Sequence, residues 1–423
     1  MRKYLFLTAA ALIAPGLAFA QAVPPAPPPI ATPGIVLNEQ LQLGDVFQTI
    51  QVTVPEAPAS IASSLAAGNV VSSLTSNGGQ TFTNTQAMLG QAAARTENLA
   101  GNISGPVSTT ASAYGNAAQS SAQGDTLTNL SYQNMAGFTE ATAFTGVTLG
   151  GTDIATSTTA VANAVGFSSR DSEIGGNIGQ RNDGAVFSSN LVNSCCNTNS
   201  ATVTSSAIGN SISGSGVNTT TIYSAQQERL GFGSVEAGNL VYSPAGTNVT
   251  SASQAAGNTH TMANTFGYAN VDNFQNNQGY VRSESAVWLD TFNGYAVSSA
   301  YGVGNSMLLS NSASDTRLAN RQITEGNVDA VADLTGASAT GATGIISSMA
   351  IGNAVTGFLC GNCGDPTAAP SISADNNQLN YSAVRSFGTV NMLGASGAII
   401  ASGAAVGNLS LIHISEPTRL LRS

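Results

Sequence analysis

Few side chains in this sequence are able to do chemistry, and their spacing narrows what that chemistry would be. Upstream of Ser410, His260 is the only histidine. A nucleophilic triad would need it as its base, but it stands in Asn258-Thr259-His260-Thr261, which reads as a surface turn. A metal site built on several histidines is excluded by counting. Cys195-Cys196 is a vicinal pair, and Cys360-Gly361-Asn362-Cys363 is a C-x-x-C. In a Gly-rich loop, with no helix to depress a thiol pKa, redox catalysis is not the expectation. Four cysteines allow three pairings; two local staples, Cys195–Cys196 and Cys360–Cys363, are preferred over a shared zinc site. Glu236 and Glu284 each lie nine residues after a recurring glutamine. On a stacked β scaffold, two coils apart, they would stand roughly 10 Å from each other, near the upper limit for an inverting glycosidase. No sugar-stacking aromatic or basic group recurs beside them, so a solvated outer position is the preferred reading. Gly124-Asp125 and Gly151-Thr152-Asp153 are lone acidic turns without the G-G-x-G-x-D repeat of calcium-binding β-rolls. The expectation is a non-enzyme with no cofactor and no metal.

What positions these residues is a repeat. Gln86, Gln133, Gln180, Gln227, Gln275 and Gln322 recur at steps of 47 or 48 residues. Each is followed four residues later by glycine: Gly90, Gly137, Gly184, Gly231, Gly279 and Gly326. Roughly thirty residues after the glutamine comes a Gly-Asn pair, ending in Asn116, Asn210, Asn258, Asn305 and Asn353. One repeat degrades to Gly166-Phe167, and Gly68-Asn69 and Gly407-Asn408 extend the series at its two ends. Gln378 follows Gln322 by 56 residues, which puts an insertion in the cysteine loop at 359–375. Before each Gly-Asn the chain alternates with period two, as in Ala201-Thr202-Val203-Thr204-Ser205-Ser206-Ala207-Ile208. Such runs read as short strands closed by Gly-Asn turns with positive φ. Phe138, Phe232 and Tyr280, each five residues after a repeat glutamine, read as a packed aromatic ladder.

These features predict an all-β fold, a β-solenoid or β-helix of about eight ~47-residue repeats. Each repeat is either two coils of about 23 residues or one large coil, with small residues inside and Asn and Gln stacking as amide ladders. A β-propeller is the alternative. Its blades usually carry an aromatic signature, whereas Trp288 is the only tryptophan here. The repeat domain is expected over 35–408. Residues 1–20 read as a secretory signal: Arg2 and Lys3, an apolar run, then Ala18-Phe19-Ala20. A Pro-rich linker follows at 21–34. The end, 409–423, reads as a non-native tail that resembles translated sequencing adapter and is set aside. No later run reaches about 18 apolar residues, so no spanning helix is expected.

Charged residues are only 8% of the chain and the formal net charge is −10, which excludes the basic footprint of a nucleic-acid binder. With 42% apolar residues the chain is able to build a core. The Gln-x-x-x-Gly and Gly-Asn punctuation after a signal peptide resembles curlin-type fibre proteins at about twice their period. The whole plan, over 21–408, is similar to the holdfast anchor protein D family of stalked alphaproteobacteria. That resemblance implies a cell-surface adhesion protein on the outer membrane that tethers an adhesive polysaccharide in biofilm formation. Implied partners are the polysaccharide, a fibre-forming anchor protein and a curli-pore-like secretion lipoprotein. Self-association into a functional-amyloid-like fibre is the alternative, and a polysaccharide-degrading β-helix enzyme a third reading.

Overall fold

In a computed structural model, residues 34–415 are described apart from 77, 151–152, 195–197, 232, 313, 339–342, 361–370 and 395–396. The expected signal segment at 1–20 lies outside the described residues, as do all but Gly34 of the linker and the end of the tail from 416. Among the described residues the chain forms strands and turns, without a helix.

One repeat is one large coil of three walls. The second repeat shows the plan: Gln80–Met88, Ala92–Ile103 and Val107–Gln123. Eight such coils stack, from Gly34–Gln42 at one end to Ile399–Ser415 at the other. First walls pair only with first walls, in an eight-stranded sheet. Second and third walls make up the other sheet, because single strands, Val235–Thr265 and Val281–Ser312, run through the corner between them in two coils. All strand pairs are parallel and stack coil on coil, with a register shift between Gly246 and Asn248, so that Gln80 meets Leu127, which meets Ile174. The backbone hydrogen bonds therefore run along the axis, as in a β-solenoid and unlike the antiparallel blades of a propeller.

Alternation explains why these residues form walls. In Gln80–Met88 every second side chain is buried, as a period-two strand with one dry face requires. Two apolar compartments result. One lies between the second wall and the first half of the third, and is built from small residues such as Ala92, Ala94, Ala111 and Ala113 with Val107. The other, between the first wall and the second half of the third, takes Phe82, Leu127, Ile174, Ile212 and Met262.

The third wall bends where the Gly-Asn pair sits. Burial there runs through two consecutive residues, Gly115 and Asn116, and the inward phase flips. The Gly-Asn pairs are thus not turns, as the sequence suggested, and none of their glycines has positive φ. Glycine is needed for close approach instead: a Cβ on Gly115 would lie 2.5 Å from the Ala162 carbonyl oxygen and 2.7 Å from Met135 Sδ. A second glycine column turns the first corner. There a Cβ on Gly137 would meet the Gly90 oxygen at 1.9 Å, and one on Gly184 the Gly137 oxygen at 1.6 Å.

Several sequence readings need correction. In the fifth coil the corner glycine is Gly233, not Gly231, because Asn190 and Asn239 are 49 residues apart and the extra residues fall before this corner. In the third coil the Asn position is Asn163, not Gly166-Phe167, since Asn116 pairs with Asn163 and Asn163 with Asn210. The aromatic ladder does not form: Phe138 and Tyr280 sit at equivalent corners of coils three apart, Ala185 and Ser234 fill that corner in the two coils between, and Phe232 lies outside the described residues. The spacing between partners changes from 48 at Asn305–Asn353 to 56 at Gln322–Gln378. Register places that insertion between Cys360 and Ile372.

Candidate functional site

The repeat glutamines and asparagines meet between the two apolar compartments. Gln86 Nε2 donates to Gln40 Oε1 at 2.7 Å, Gln133 to Gln86 at 2.8 Å, and Gln180 to Gln133 at 2.9 Å. The chain of amides continues through Gln227, Gln275, Gln322 and Gln378. Each glutamine also donates across the coil to a third-wall carbonyl, as Gln180 does to Ser211. The asparagine column runs the other way: Asn69 Nδ2 donates to Asn116 Oδ1, Asn116 to Asn163, and on through Asn210, Asn258, Asn305 and Asn353 to Asn408, at 2.8 or 2.9 Å throughout. Its second N–H reaches a first-wall carbonyl, as from Asn116 to Asn134. From Asn116 to Asn353 and Gln86 to Gln322 these amides are buried with their donors used. A buried amide with all its groups paired rigidifies a core, whereas one left unpaired costs about 1–3 kcal/mol. The two ladders pin the first wall to the bend of the third.

That bend shapes the outer face of the third wall. A shallow groove of about 460 Å³ runs along the axis over five coils there, ~19 Å at the strand spacing. Its outward side chains include Ser157, Thr159, Thr204, Ser206, Gln254 and Ser299, with Tyr301 and Met349 towards one end, and it holds no charged residue. Thr204 Oγ1 donates to Ser157 Oγ at 3.1 Å. Beside it runs an apolar seam of Ala256, Val303 and Ile351, against which Ile208 and Tyr301 pack. Burial pushes the Tyr301 phenol pKa up. Chemically this is an array of hydroxyl groups with the amide of Gln254, over a buried apolar seam, suited to a neutral, hydroxyl-rich polymer and not to a phosphate or carboxylate.

The residues that suggested chemistry lie elsewhere and apart. His260 is no surface turn residue: two places after the inward Asn258, it points into the core at 1% exposure. Its Nδ1 contacts Asn273 Oδ1 at 2.8 Å and its Nε2 the Tyr223 hydroxyl. Burial pushes its pKa down to about 4, against the smaller upward pull of Asn273. Glu236 and Glu284 do not stack. Glu236 pairs in register with Arg282, while Glu284 pairs with Gly238 and forms an ion pair with Arg282 at 2.6 Å. The two-residue lengthening of the fifth-coil corner sets the two carboxylates two positions apart along neighbouring strands, with Arg282 between them. Cys360 is buried and disulfide-bonded; Cys195, Cys196 and Cys363 lie outside the described residues. No group of three or more His, Cys, Asp or Glu placed to hold a metal occurs among the described residues.

Sequence reasoning missed the groove, because Ser and Thr fill so much of the chain that no single hydroxyl stands out. It also missed Asn163 and Gln40, which a strict step of about one repeat from Asn116 and Gln86 reveals. No curated protein and no solved structure matches the chain. The family model for holdfast attachment protein D matches residues 55–327. That span takes in the whole of the second to sixth coils, with the ladders from Gln86 to Gln322 and from Asn69 to Asn305 and the greater part of the groove. The chain belongs to the holdfast attachment protein D family.

Proposed function

We propose that this protein is a cell-surface anchor that holds an adhesive polysaccharide to the outer membrane, with the uncharged groove of the third wall as its contact with the glycan. The observation that carries this reading is the groove: hydroxyl groups repeated over five coils, with the amide of Gln254, on a member of a holdfast attachment family. Single hydroxyl–hydroxyl contacts are weak in water, but repeating them along a rigid axis makes later contacts intramolecular and the sum strong. Export by a signal peptide, and assembly with a fibre-forming anchor protein and a curli-pore-like lipoprotein, complete the proposal. Clean deletion in the source organism, with lectin staining of cells and medium, tests it. Adhesive made but shed into the medium is the expected result; adhesive retained on cells that still hold to the surface contradicts it.

A second reading is a subunit that polymerises end to end in a functional-amyloid-like fibre. It draws on the glutamine ladder, whose end members among the described residues are Gln40 and Gln378, and on the strand edges that the first and last coils present among those residues. Seeded growth with a cross-β diffraction pattern from purified protein favours it, and a persistently soluble monomer counts against it.

A further inference from the structure

The second wall carries a feature that neither the ladders nor the groove uses. Trp288, the only tryptophan of the chain, is 53% exposed, and the residue it pairs with in the preceding coil, Tyr242, is 48% exposed. The same outward column continues with Asn193 on one side and Thr335 on the other. One step along the wall runs a parallel apolar column of Phe144, Leu191 and Leu240, of which Leu191 and Leu240 are exposed. Two large rings are thus presented to water side by side, one strand spacing of ~4.8 Å apart along the axis. An amide and a hydroxyl lie at the two ends of their row.

We propose that Tyr242 and Trp288 form a sugar-stacking platform for the same polysaccharide, a second contact on a different wall from the groove. The inference rests on the attachment reading above. The apolar C–H faces of consecutive sugar residues would lie on the two rings. Asn193 and Thr335 would take hydroxyl groups at either end of the row. Rings of this kind bury a large area at little entropic cost and keep a polar tip for water. A glycan running along the axis would meet one side chain per coil, and the in-register stacking keeps the row straight. The row itself carries no formal charge, which matches the groove and a neutral polymer. A core role does not account for rings half in water, and another outer column on this face holds the charged groups Glu236, Arg282 and Asp329.

Because Trp288 is the only tryptophan, its emission reports on this place alone. The intact secreted protein would be titrated with polysaccharide sheared from attached cells of the source strain, following emission and acrylamide quenching, with co-sedimentation as a separate measure of binding. A blue shift and protection from acrylamide are expected. A Tyr242→Ala/Trp288→Ala variant should bind about tenfold more weakly, for the loss of two aromatic contacts, while Trp288→Phe should keep most of the affinity. Co-sedimentation with unchanged emission, and an unweakened double variant, overturn the platform and leave the attachment reading standing. No co-sedimentation by the wild-type protein overturns both. Protection that grows with protein concentration in the absence of glycan assigns the rings to a second copy of the chain and overturns the proposal.

Discussion

Arg229 and His260 show what single residues do in this interior. Arg229 replaces, coil for coil, Met88, Met135 and Asn182. It is fully buried; its guanidinium donates to Asn277 Oδ1 at 3.2 Å and to the Gly233 carbonyl, and Nε has no partner. Burial pushes its pKa down to about 9, so at neutral pH it is a buried cation that pairs with no carboxylate among the described residues. Arg229→Met restores the residue of the earlier coils and should raise stability by about 1 kcal/mol or more, read as a higher guanidinium midpoint with unchanged slope. His260 gives a pH dependence. Its folded pKa, about 4, lies below the ordinary 6.5, so its contribution is complete above about pH 6.5 and is lost as pH falls towards 4. The loss approaches about 3 kcal/mol. His260→Gln should remove this part of the acid limb, seen by comparing midpoints at pH 7 and pH 4.5.

Walls and ladders are the next scale. Gln180→Ala removes one rung and strands three buried groups: Gln133 Oε1, Gln227 Nε2 and the Ser211 carbonyl. At about 1–3 kcal/mol each, the loss should reach about 3 kcal/mol or more, and hydrogen exchange should quicken first in the fourth coil and its neighbours. These rungs were legible in the sequence because parallel in-register stacking converts a contact in space into a fixed step along the chain. The period, the all-β class and the stacking of Asn and Gln follow from that alone. Corner lengths were not legible. The fifth coil keeps its glutamine on the step but lengthens the next corner, so Gly231 gives way to Gly233 and Glu236 slides away from Glu284. Nor was the role of Gly-Asn, because a turn glycine and a close-approach glycine look alike until the neighbouring coil is in place. His260 was misread for the same reason: its inward phase depends on the bend at Asn258.

At the scale of the whole molecule, eight coils give walls whose every outward column is a row of related side chains. A solenoid of this kind is rigid along its axis, because each coil is held by its neighbours. Rigidity is what an anchor needs, since contacts preorganised on one axis add without further ordering cost. The acidic balance, −10 overall, keeps the exterior solvated and leaves the third-wall groove as an uncharged strip within it. The most direct test of that groove is co-sedimentation of the purified protein with the adhesive polysaccharide, comparing wild type with Thr204→Arg/Gln254→Arg. Both positions are exposed on the groove, so the fold should tolerate the change while the longer side chains fill the space. Binding about tenfold or more weaker in the variant, a loss of about 1.4 kcal/mol, is what the account predicts. Equal binding by the two proteins would contradict it.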